Sequence, residues 1–410
     1  MRIRSLTLRN FRVFSEERSF AFSDRVTVVA GVNGKGKTAI LDALALLASR
    51  LLPLISPARS GYRTMAVSEI HGDERDASLG MAVNCVGTPI QFKLAFSREV
   101  RKLRRNTVPE VVRDRVRMAY GDPNRAGDQA PLAVYYTTDR AGYRIPKALP
   151  IVLPRDQSLA YVRALRARVV DYRDFMARYR VWSGEEGQPR NVQALGAALA
   201  TFLDGFSQVT VDEDPPRLRV SKGARLLLLD QLSDGERSIL AIVADLVRRL
   251  SLANPAIDNP LEGAGVVLID EIELHLHPTW QRNIIEKLRA TFPNIQFIAT
   301  THSPFVIQSL RPGELINLDP GEFGNFPGKS IEDIAAMMGV EVPQRSERFL
   351  AMVRAAEQYY DALESAVEAA PAELAALKAQ LDELSALYSD DPAYVAFLNF
   401  QRRTALKGNA

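Results

Sequence analysis

The sequence has little of what several classes of protein require. Cys85 is the single cysteine among 410 residues, which excludes an internal disulfide framework and a thiolate metal site and suits a reducing cytosol. No apolar run reaches the ~20 residues that cross a bilayer, and the N-terminus alternates charged and apolar residues, unlike a signal or transit peptide. We therefore expect a soluble, cytoplasmic protein with no membrane partner.

The whole chain has no large excess of charge of one sign, since its formal net charge is +3. Several stretches of it do have such an excess. Residues 98–117 contain eight Arg or Lys against three acids, residues 155–180 contain seven Arg against three Asp, and residues 357–391 are strongly acidic. These stretches are either solvated helix faces or surfaces that guide a nucleic acid or a partner protein. On the second interpretation, the side chains that would contact DNA phosphates are Arg101, Lys102, Arg104 and Arg105.

The apolar pattern that is present predicts an α/β fold. Residues 26–30 (VTVVA) form a continuous apolar run, which is typical of a strand buried on both faces. Helix and strand patterns alternate from residue 236 onward, as in a parallel α/β core. Residues 79–97 and 208–229 alternate residue by residue, which predicts antiparallel strands and a hairpin.

These patterns divide the chain into four segments. Residues 1–97 and 206–325 are expected to form the two lobes of the core, and residues 98–205 a basic, largely helical insertion or lid. Residues 326–410 are expected to be a helical extension that serves oligomerisation or the docking of a partner. Neither an internal repeat nor sustained heptads accompany these segments.

A glycine-rich loop follows the first buried strand. GVNGKGKT (31–38) fits G-x-x-x-x-G-K-[ST], and the helix that begins there favours anions at its N-terminus. The glycines let backbone N–H groups face phosphates, Lys37 reaches the β- and γ-phosphates, and the Thr38 hydroxyl ligates Mg²⁺. A chance glycine turn does not explain Lys-Thr at a helix start, so we predict an ATP site. Its nucleotide-binding residues are Asn33, Gly34, Lys35, Gly36, Lys37, Thr38 and Ala39.

Carboxylates and histidines follow a second buried strand in LIDEIELHLHP (268–278). Two acids at a strand end are usually just solvated, but beside a phosphate loop Asp270 would hold Mg²⁺ and Glu271 would act as general base on the attacking water. His275 and His277 next to these acids also suggest a metal site. Zinc is disfavoured because no cysteine and no third histidine lie nearby in sequence, and Glu273 is left as an interface or structural acid.

Two further motifs point to the same site. LSDGERS (232–238) precedes an apolar helix, which Ser233 or Asp234 would cap. The same helix start suits the γ-phosphate of a nucleotide that another subunit holds, because Ser233 can donate a hydrogen bond and Gly235 lets the backbone come close. A strand that ends in TTHSP (300–304) delivers His302, which would sense or polarise the γ-phosphate. The predicted signature residues are Ser233, Asp234, Gly235 and Glu236.

Together with NFRVF (10–14), these motifs resemble the ABC-type ATPases of the RecF/SMC/OLD group over most of residues 1–310. The resemblance implies a P-loop NTPase with ABC-head architecture, in which two heads enclose ATP and Mg²⁺ between the P-loop of one and the signature of the other. It implies a nucleotide contact for Arg12 and catalytic roles for Glu271 and His302. It also implies a Q-loop residue within YYTTDR (135–140), which has no glutamine. The segment ELHLHP falls on the family's D-loop at the head-to-head interface, with His275, His277 and Pro278 as interface residues.

Within that group the sequence most resembles the PtuA-like ATPases of Septu-type and retron-linked anti-phage systems, on LSDGERSILAIVADLVRRL, VVLIDEIELHLHP and SDDPAYVAFLNFQRR. That likeness implies a homodimer or higher oligomer, a separate HNH nuclease as partner, and DNA or retron RNA as a further one. SMC-type heads need a long coiled coil and OLD-type enzymes a C-terminal nuclease, and the sequence indicates neither. Two other hypotheses stay open: a RecF-like DNA-binding ATPase in repair and recombination, and a scaffold that binds ATP but hardly hydrolyses it.

Overall fold

The computed structural model describes residues 1–57, 63–99, 108–120, 130–150, 156–166, 170–184, 188–319, 329, 331–338, 351–352, 354–356, 358–359 and 371–385. The predicted DNA contacts Arg101, Lys102, Arg104 and Arg105 lie outside the described residues, as does the tail segment SDDPAYVAFLNFQRR. The chain separates into two units, residues 1–339 and residues 340–410, and each is described by itself.

The elements are numbered in chain order over the described ranges. The strands are β1 (Arg2–Arg9), β2 (Arg18–Ala21), β3 (Val26–Ala30), β4 (Asp76–Cys85), β5 (Thr88–Ser97), β6 (Leu132–Tyr136), β7 (Tyr143–Arg144), β8 (Val170–Asp171), β9 (Phe206–Glu213), β10 (Pro216–Lys222), β11 (Arg225–Leu228), β12 (Gly265–Ile269), β13 (Ile295–Thr301) and β14 (Leu315–Asn317). The α-helices are α1 (Lys37–Ile55), α2 (Glu110–Tyr120), α3 (Tyr172–Ser183), α4 (Pro189–Phe202), α5 (Asp234–Ala253), α6 (Pro278–Thr291), α7 (Pro304–Gln308), α8 (Ile331–Met337) and α9 (Pro371–Ser385).

The central sheet of the first unit is parallel, with strand order β14-β3-β13-β12-β6. Strands β3, β6, β12 and β13 are buried over their whole length, in keeping with their mostly apolar sequences. Because all five strands run the same way, their carboxyl ends lie along one edge, where parallel α/β sheets bind ligands. The predicted parallel α/β core is therefore confirmed.

A second sheet contains the N-terminal strands, which pair antiparallel in the order β2-β1-β4-β5. Gln296 of β13 joins this sheet to the central one. Its side chain is fully buried, accepts a hydrogen bond from the N–H of Ile3 at 2.7 Å and donates to the carbonyl of Ile3 at 2.8 Å. The two sheets thus meet through a buried amide whose hydrogen bonds are satisfied.

A third sheet, β11-β10-β9, is antiparallel and replaces the hairpin that the sequence predicts over 208–229. The two alternating runs do form β9 and β10. The apolar run RLLL then returns as β11 and pairs with β10, so that the segment before the signature is a strand as well.

The division of the chain differs from the predicted one. Residues 98–205 do not form a separate insertion, because they supply β6, which pairs with β12 in the central sheet. The boundary near residue 326 also moves, since residues up to 339 belong to the first unit. There Ile334 and Met338 pack against Ala30 and Ile307 in a small apolar cluster.

Helix α1 has the length and mean hydropathy of a membrane-crossing helix, the one such helix in the part of the chain that the structure describes. Its most apolar window of 18 residues is 83% buried inside the protein. The helix packs against β13 and β6 of the central sheet and against β4 of the antiparallel sheet. It is therefore a core helix, and burial on all sides explains its apolar sequence.

Asp245 of α5 is the centre of a buried network of polar side chains. Its carboxylate accepts hydrogen bonds from Arg248 at 2.8 Å, from Arg249 at 2.7 Å and from the Tyr136 hydroxyl at 3.1 Å. Arg249, which has no exposed surface, also donates to the carbonyl of Ala160. The helix that follows the signature is thereby tied to the end of β6, and the Asp245 carboxylate offsets part of the charge of the two buried arginines.

The second unit is helical where it is described. Helix α9 covers Pro371–Ser385, and the described residues between 351 and 359 are helical too. The sequence predicts helices over 345–410, and the remaining residues of that prediction lie outside the described ranges.

Candidate nucleotide-binding site

Segments from distant parts of the chain meet at the carboxyl edge of the central sheet. The glycine-rich loop follows β3, Asp270 and Glu271 follow β12, and His302 follows β13. Strand β13 lies between β3 and β12, so these three segments are neighbours. The order of the strands, and not closeness in sequence, brings the predicted groups together.

The glycine-rich loop has a backbone that its glycines permit. Gly31, Gly34 and Gly36 have φ angles of 151°, 82° and 98°, which residues with a side chain rarely adopt. Lys37 is buried, and its ammonium donates to the carbonyls of Gly31 at 2.7 Å and Val32 at 3.1 Å. Burial lowers the pKa of Lys37 against the opposing effect of the carboxylates around it. Of the other predicted loop residues, Asn33, Lys35 and Thr38 are exposed. Ala39, in the first turn of α1, is buried.

We expect Gly36→Ala to weaken nucleotide binding far more than Gly34→Ala. Both positions have positive φ, so alanine costs about 1–2 kcal/mol at either. At Gly36 the new Cβ would also lie 2.6 Å from a methyl group of Val13 and 2.7 Å from the ring of Phe14, whereas at Gly34 no other atom lies within 4 Å. Titration with a fluorescent ATP analogue should show at least about a tenfold difference in Kd between the variants, equivalent to 1.4 kcal/mol. Equal Kd values in two folded variants would contradict this expectation.

Asp270 is held between the first turn of α1 and the end of β13. Its carboxylate accepts hydrogen bonds from the Thr38 hydroxyl at 3.1 and 3.2 Å and from the Thr300 hydroxyl at 2.6 Å. Its N–H donates to the carbonyl of Tyr136 at 2.8 Å. The side chain is buried and fixed, next to a hydroxyl oxygen, and such oxygen ligands are those that Mg²⁺ prefers.

Glu271 has a left-handed backbone, with φ of 47°. Its N–H donates to the Thr300 hydroxyl at 2.7 Å, and its carbonyl accepts from Arg140. A strained residue that its surroundings hold at both ends is typical of a functional position. The backbone of Glu271, next to Asp270, is therefore fixed, and its side chain is half-buried.

Arg140 is a candidate that the sequence does not single out. Its guanidinium is 1% exposed and donates to the carbonyls of Asp270 at 2.5 Å, Thr137 at 3.2 Å, and Glu271. Burial lowers the pKa of Arg140 to about 10 against the opposing effect of Glu273 and its acidic neighbours, so the group stays charged at neutral pH. The sequence predicts a Q-loop residue in YYTTDR, but an arginine, not a glutamine, reaches the end of β12. The signal for Arg140 in the sequence is a basic residue shortly after a buried strand.

The end of β13 is supported by an acid from the loop after β12. Glu273 accepts hydrogen bonds from the Thr301 hydroxyl at 2.7 Å and from the N–H of His302. Burial and the charge of Lys37 lower the pKa of His302, so the imidazole is neutral at neutral pH. Of the two roles left open for Glu273, these contacts favour the structural one.

The signature forms a capped helix start. The Ser233 hydroxyl accepts from the N–H of Glu236 at 3.3 Å, and the Glu236 carboxylate accepts from the N–H of Ser233 at 2.9 Å. Burial works to raise the pKa of Glu236, but hydrogen bonds from Lys222, at 2.6 Å, and from Ser233 outweigh it and lower the pKa. Gly235 packs against the loop after β12, since a Cβ there would lie 2.6 Å from the carbonyl oxygen of His275. Residue 235 must therefore be glycine because of this contact within its own chain.

The two histidines of LIDEIELHLHP have separate surroundings. His277 caps α6, because its ring accepts a hydrogen bond from the N–H of Thr279 at 3.3 Å. His275 is exposed, with φ of 64°. Over the described ranges, no group of three or more His, Cys, Asp and Glu residues could hold a metal ion. Five of the predicted signature and interface residues are exposed, namely Ser233, Asp234, His275, His277 and Pro278.

Arg12 contacts carboxylates of its own chain. Its guanidinium forms ion pairs with Asp42 at 2.5 Å and with Glu69 at 2.6 Å. Asp42 also pairs with Arg63 at 2.5 Å. The nucleotide contact that the resemblance implies for Arg12 stays a prediction.

Asp319 is a second candidate that the sequence does not single out. It follows β14, which pairs with β3, and it accepts a hydrogen bond from the N–H of Val32 at 2.9 Å. Asn317 holds its backbone, accepting from the N–H of Asp319 at 3.2 Å. Among the charges near Lys37, Asp319 does most to oppose the lowering of the pKa of that lysine. A short strand before an acid carries no motif, so only the strand order reveals this contact.

An open pocket of 560 Å³ borders the glycine-rich loop, lined by Phe14, Arg18, Lys35 and Asp319 among others. A larger one, of 870 Å³, lies beside β4 and β5 and has His71 and Asp73 in its lining, but it contains none of the loop residues. The smaller pocket therefore adjoins the glycine-rich loop, and its lining does not include Thr38, Asp270 or His302.

Two protein families match the chain. Residues 5–107 match a family described as "AAA domain", and residues 138–308 match "AAA domain, putative AbiEii toxin, Type IV TA system". The first match includes the glycine-rich loop. The second includes the signature, Asp270, Glu271 and His302.

Similar curated proteins are named as probable retron ATPases and as a Septu protein. Retron Vc95 probable ATPase of Vibrio cholerae serotype O1 biovar El Tor is 26% identical over 86% of this chain and 82% of its own length. Retron Ec83 probable ATPase of Escherichia coli is 55% identical over 28% of this chain and 21% of its own. Septu protein PtuA of Bacillus mycoides (strain KBAB4) is 30% identical over 46% of this chain and 28% of its own. Among solved structures, the SMC head domain from Thermotoga maritima is 16% identical, with a TM-score of 0.43, over 77% of this chain and 94% of that chain.

Proposed function

We propose that this chain is an ABC-type ATPase and the ATP-hydrolysing switch subunit of an anti-phage defence system, since it is similar to retron probable ATPases and Septu PtuA proteins. Two copies join head to head around ATP, and the assembly controls a separate HNH-type nuclease in the cytoplasm. The names of the relatives support the ATPase activity and the role in a defence system. The resemblance of the sequence to PtuA-like ATPases supports the nuclease partner.

The contact between Thr38 and Asp270 is the observation that carries this proposal. A hydroxyl from the helix after the loop and a carboxylate from the next strand but one lie 3.1 Å apart. P-loop NTPases hold Mg²⁺ beside the β- and γ-phosphates with this pair of groups. The oxygens fit Mg²⁺, which when bound neutralises charge on the phosphates.

Glu271 and His302 are the catalytic residues in this proposal. Glu271 takes a proton from the attacking water, since its carboxylate directly follows the Mg²⁺-binding acid and its backbone is fixed. The neutral imidazole of His302 forms a hydrogen bond to the γ-phosphate. Lys37 exchanges its bonds to Gly31 and Val32 for bonds to the phosphates.

The second head completes each site. Ser233 and Asp234 at the start of α5 face the partner's γ-phosphate, and this position gains from the positive end of the helix dipole. The Ser233 hydroxyl donates to Glu236 at 3.0 Å, so binding the phosphate exchanges that bond for a new one. The exposure of His275, His277 and Pro278 supports their place at the interface.

The remaining segments serve other partners in this proposal. The nuclease or further copies dock on residues 326–410, and DNA or retron RNA contacts the basic stretch of residues 98–117. The arginine-rich stretches also favour a second candidate, a RecF-like DNA-binding ATPase in repair.

Co-expression with the protein encoded by the neighbouring gene tests the partner. We expect the two proteins to co-purify, and nuclease activity to change when ATP and Mg²⁺ are added. Lys37→Ala should keep the complex and lose the response to ATP, because the variant cannot hold the phosphates. Lys93→Ala is the control, since that lysine is exposed and pairs only loosely with Glu17, at 3.4 Å. Failure to co-purify, with steeply salt-dependent binding of the chain alone to duplex DNA, would favour the RecF-like function.

A further inference from the structure

We propose that Glu273 is a positioning residue that couples the signature helix of a head to the switch histidine of the same head. The loop of residues 273–278, here called the D-loop, makes contacts in both directions. The inference rests on the proposed function, because it takes His302 as the group that meets the γ-phosphate.

The first contact joins the D-loop to the end of β13. One carboxylate oxygen of Glu273 accepts from the Thr301 hydroxyl at 2.7 Å, and the other accepts from the N–H of His302. Hydrogen bonds to an ionised carboxylate are shorter and roughly twice as strong as neutral ones. Thr301 is fully buried, so water does not replace Glu273 there. The backbone of His302 therefore follows the position of Glu273.

A second pair of bonds reaches the other side of His302. Gln281 of α6 donates to the carbonyl of Leu276 at 2.7 Å and accepts from the Ser303 hydroxyl at 2.6 Å. Ser303 in turn caps α7. The D-loop is thus bonded to both neighbours of His302, to Thr301 directly and to Ser303 through Gln281.

The D-loop meets the signature on its opposite side. An added Cβ at Gly235 would lie 2.6 Å from the carbonyl oxygen of His275 and 3.5 Å from the ring of Trp280. His275 itself has φ of 64°, a region in which a residue with a side chain has little freedom. A shift at the start of α5 therefore moves the D-loop instead of being absorbed at His275.

In a head-to-head dimer these contacts connect two nucleotide sites. The signature of one copy meets the nucleotide of its partner, while His302 of that copy meets its own nucleotide. The path from Gly235 through His275 and Glu273 to His302 lies in one chain. ATP bound at one site thereby changes the position of the switch histidine at the other, which is a coupling between sites.

Histidine labelling tests the positioning without any turnover. The chain has four histidines, so ¹⁵N-histidine gives four backbone amide signals, and His302→Ala identifies that of His302. In the wild type we expect a downfield, slowly exchanging amide proton for His302. In Glu273→Ala it should move upfield and exchange fast, and Gly235→Ala, which does not touch His302, should also shift it. An unchanged His302 signal in either variant overturns the proposal, whether or not the protein hydrolyses ATP.

A double-variant cycle tests whether Glu273 acts through His302. Glu273→Gln should lower kcat on the order of tenfold, since small misplacements of reacting groups cost this much or more, and should leave the Kd for ATP unchanged. Added to His302→Ala it should cause no further loss. Glu110→Gln, on the exposed start of α2, is the matched control and should keep the wild-type kcat. Additive losses overturn the proposal, whereas a wild type without turnover refutes the proposed hydrolysis and leaves the labelling experiment decisive.

Discussion

Glu271→Gln is expected to slow ATP hydrolysis by about 10²–10⁴-fold, the contribution of a general base, and to leave ATP bound. Glutamine has the shape of glutamate but cannot take a proton from water at neutral pH. The contacts that hold this residue, from its N–H to Thr300 and from Arg140 to its carbonyl, involve only the backbone and persist in the variant. Head-to-head dimers with trapped ATP should therefore accumulate.

Two measurements together decide this prediction. Single-turnover phosphate release reports hydrolysis, and light scattering after size exclusion reports the dimer in the presence of ATP and Mg²⁺. Glu110→Gln should behave as the wild type, and Lys37→Ala should neither bind ATP nor dimerise. A Glu271→Gln variant that stays monomeric with ATP under all conditions contradicts the composite site. Equal, negligible phosphate release from variant and wild type would instead indicate a scaffold that binds ATP.

Asp245→Ala is expected to cause the largest loss of stability, about 3–5 kcal/mol in the free energy of unfolding, as when one partner of a buried ion pair is removed. The substitution removes the acceptor of two buried guanidinium groups, those of Arg248 and Arg249, and of the Tyr136 hydroxyl. Arg249 has no exposed surface, so water cannot take the place of the carboxylate.

Urea unfolding followed by circular dichroism measures the effect. Asp258→Ala is the matched control, because that residue is exposed and such changes stay within about 0.5 kcal/mol. A loss below about 1 kcal/mol in Asp245→Ala, the range of a surface ion pair, would show that the arginines find other acceptors. Asp245→Asn, which keeps the volume and removes the charge, should fall between the control and the alanine variant.

The sequence predicted those parts of the site that short motifs of consecutive residues encode. A buried strand, a glycine turn before Lys37, an acid pair after β12 and a helix cap at Ser233 each occupy only a few consecutive residues. Their assembly could be anticipated as well, because parallel strands bring their carboxyl ends to one edge.

Contacts that depend on strand order could not be predicted in this way. Arg140 and Asp319 follow the two outer strands of the sheet, β6 and β14, and neither strand carries a motif. The bonds of Glu273 exist because β13 happens to end beside the D-loop. The pairing of β6 with β12 could not be predicted for the same reason, and the assignment of residues 98–205 to an insertion rested on their charge alone.

The strand order also determines when, during synthesis, the chain can become an ATPase. Strand β3 is made early, yet its two neighbours, β13 and β14, both come from the last third of the chain. Pairing over such a separation is slow, and an unpaired apolar strand is prone to aggregate. The local antiparallel sheet β2-β1-β4-β5 can form first and shelter the neighbourhood of β3 on the ribosome. A translation product that stops before β13 has neither of the strands that pair with β3, nor His302, so we expect it to lack ATPase activity.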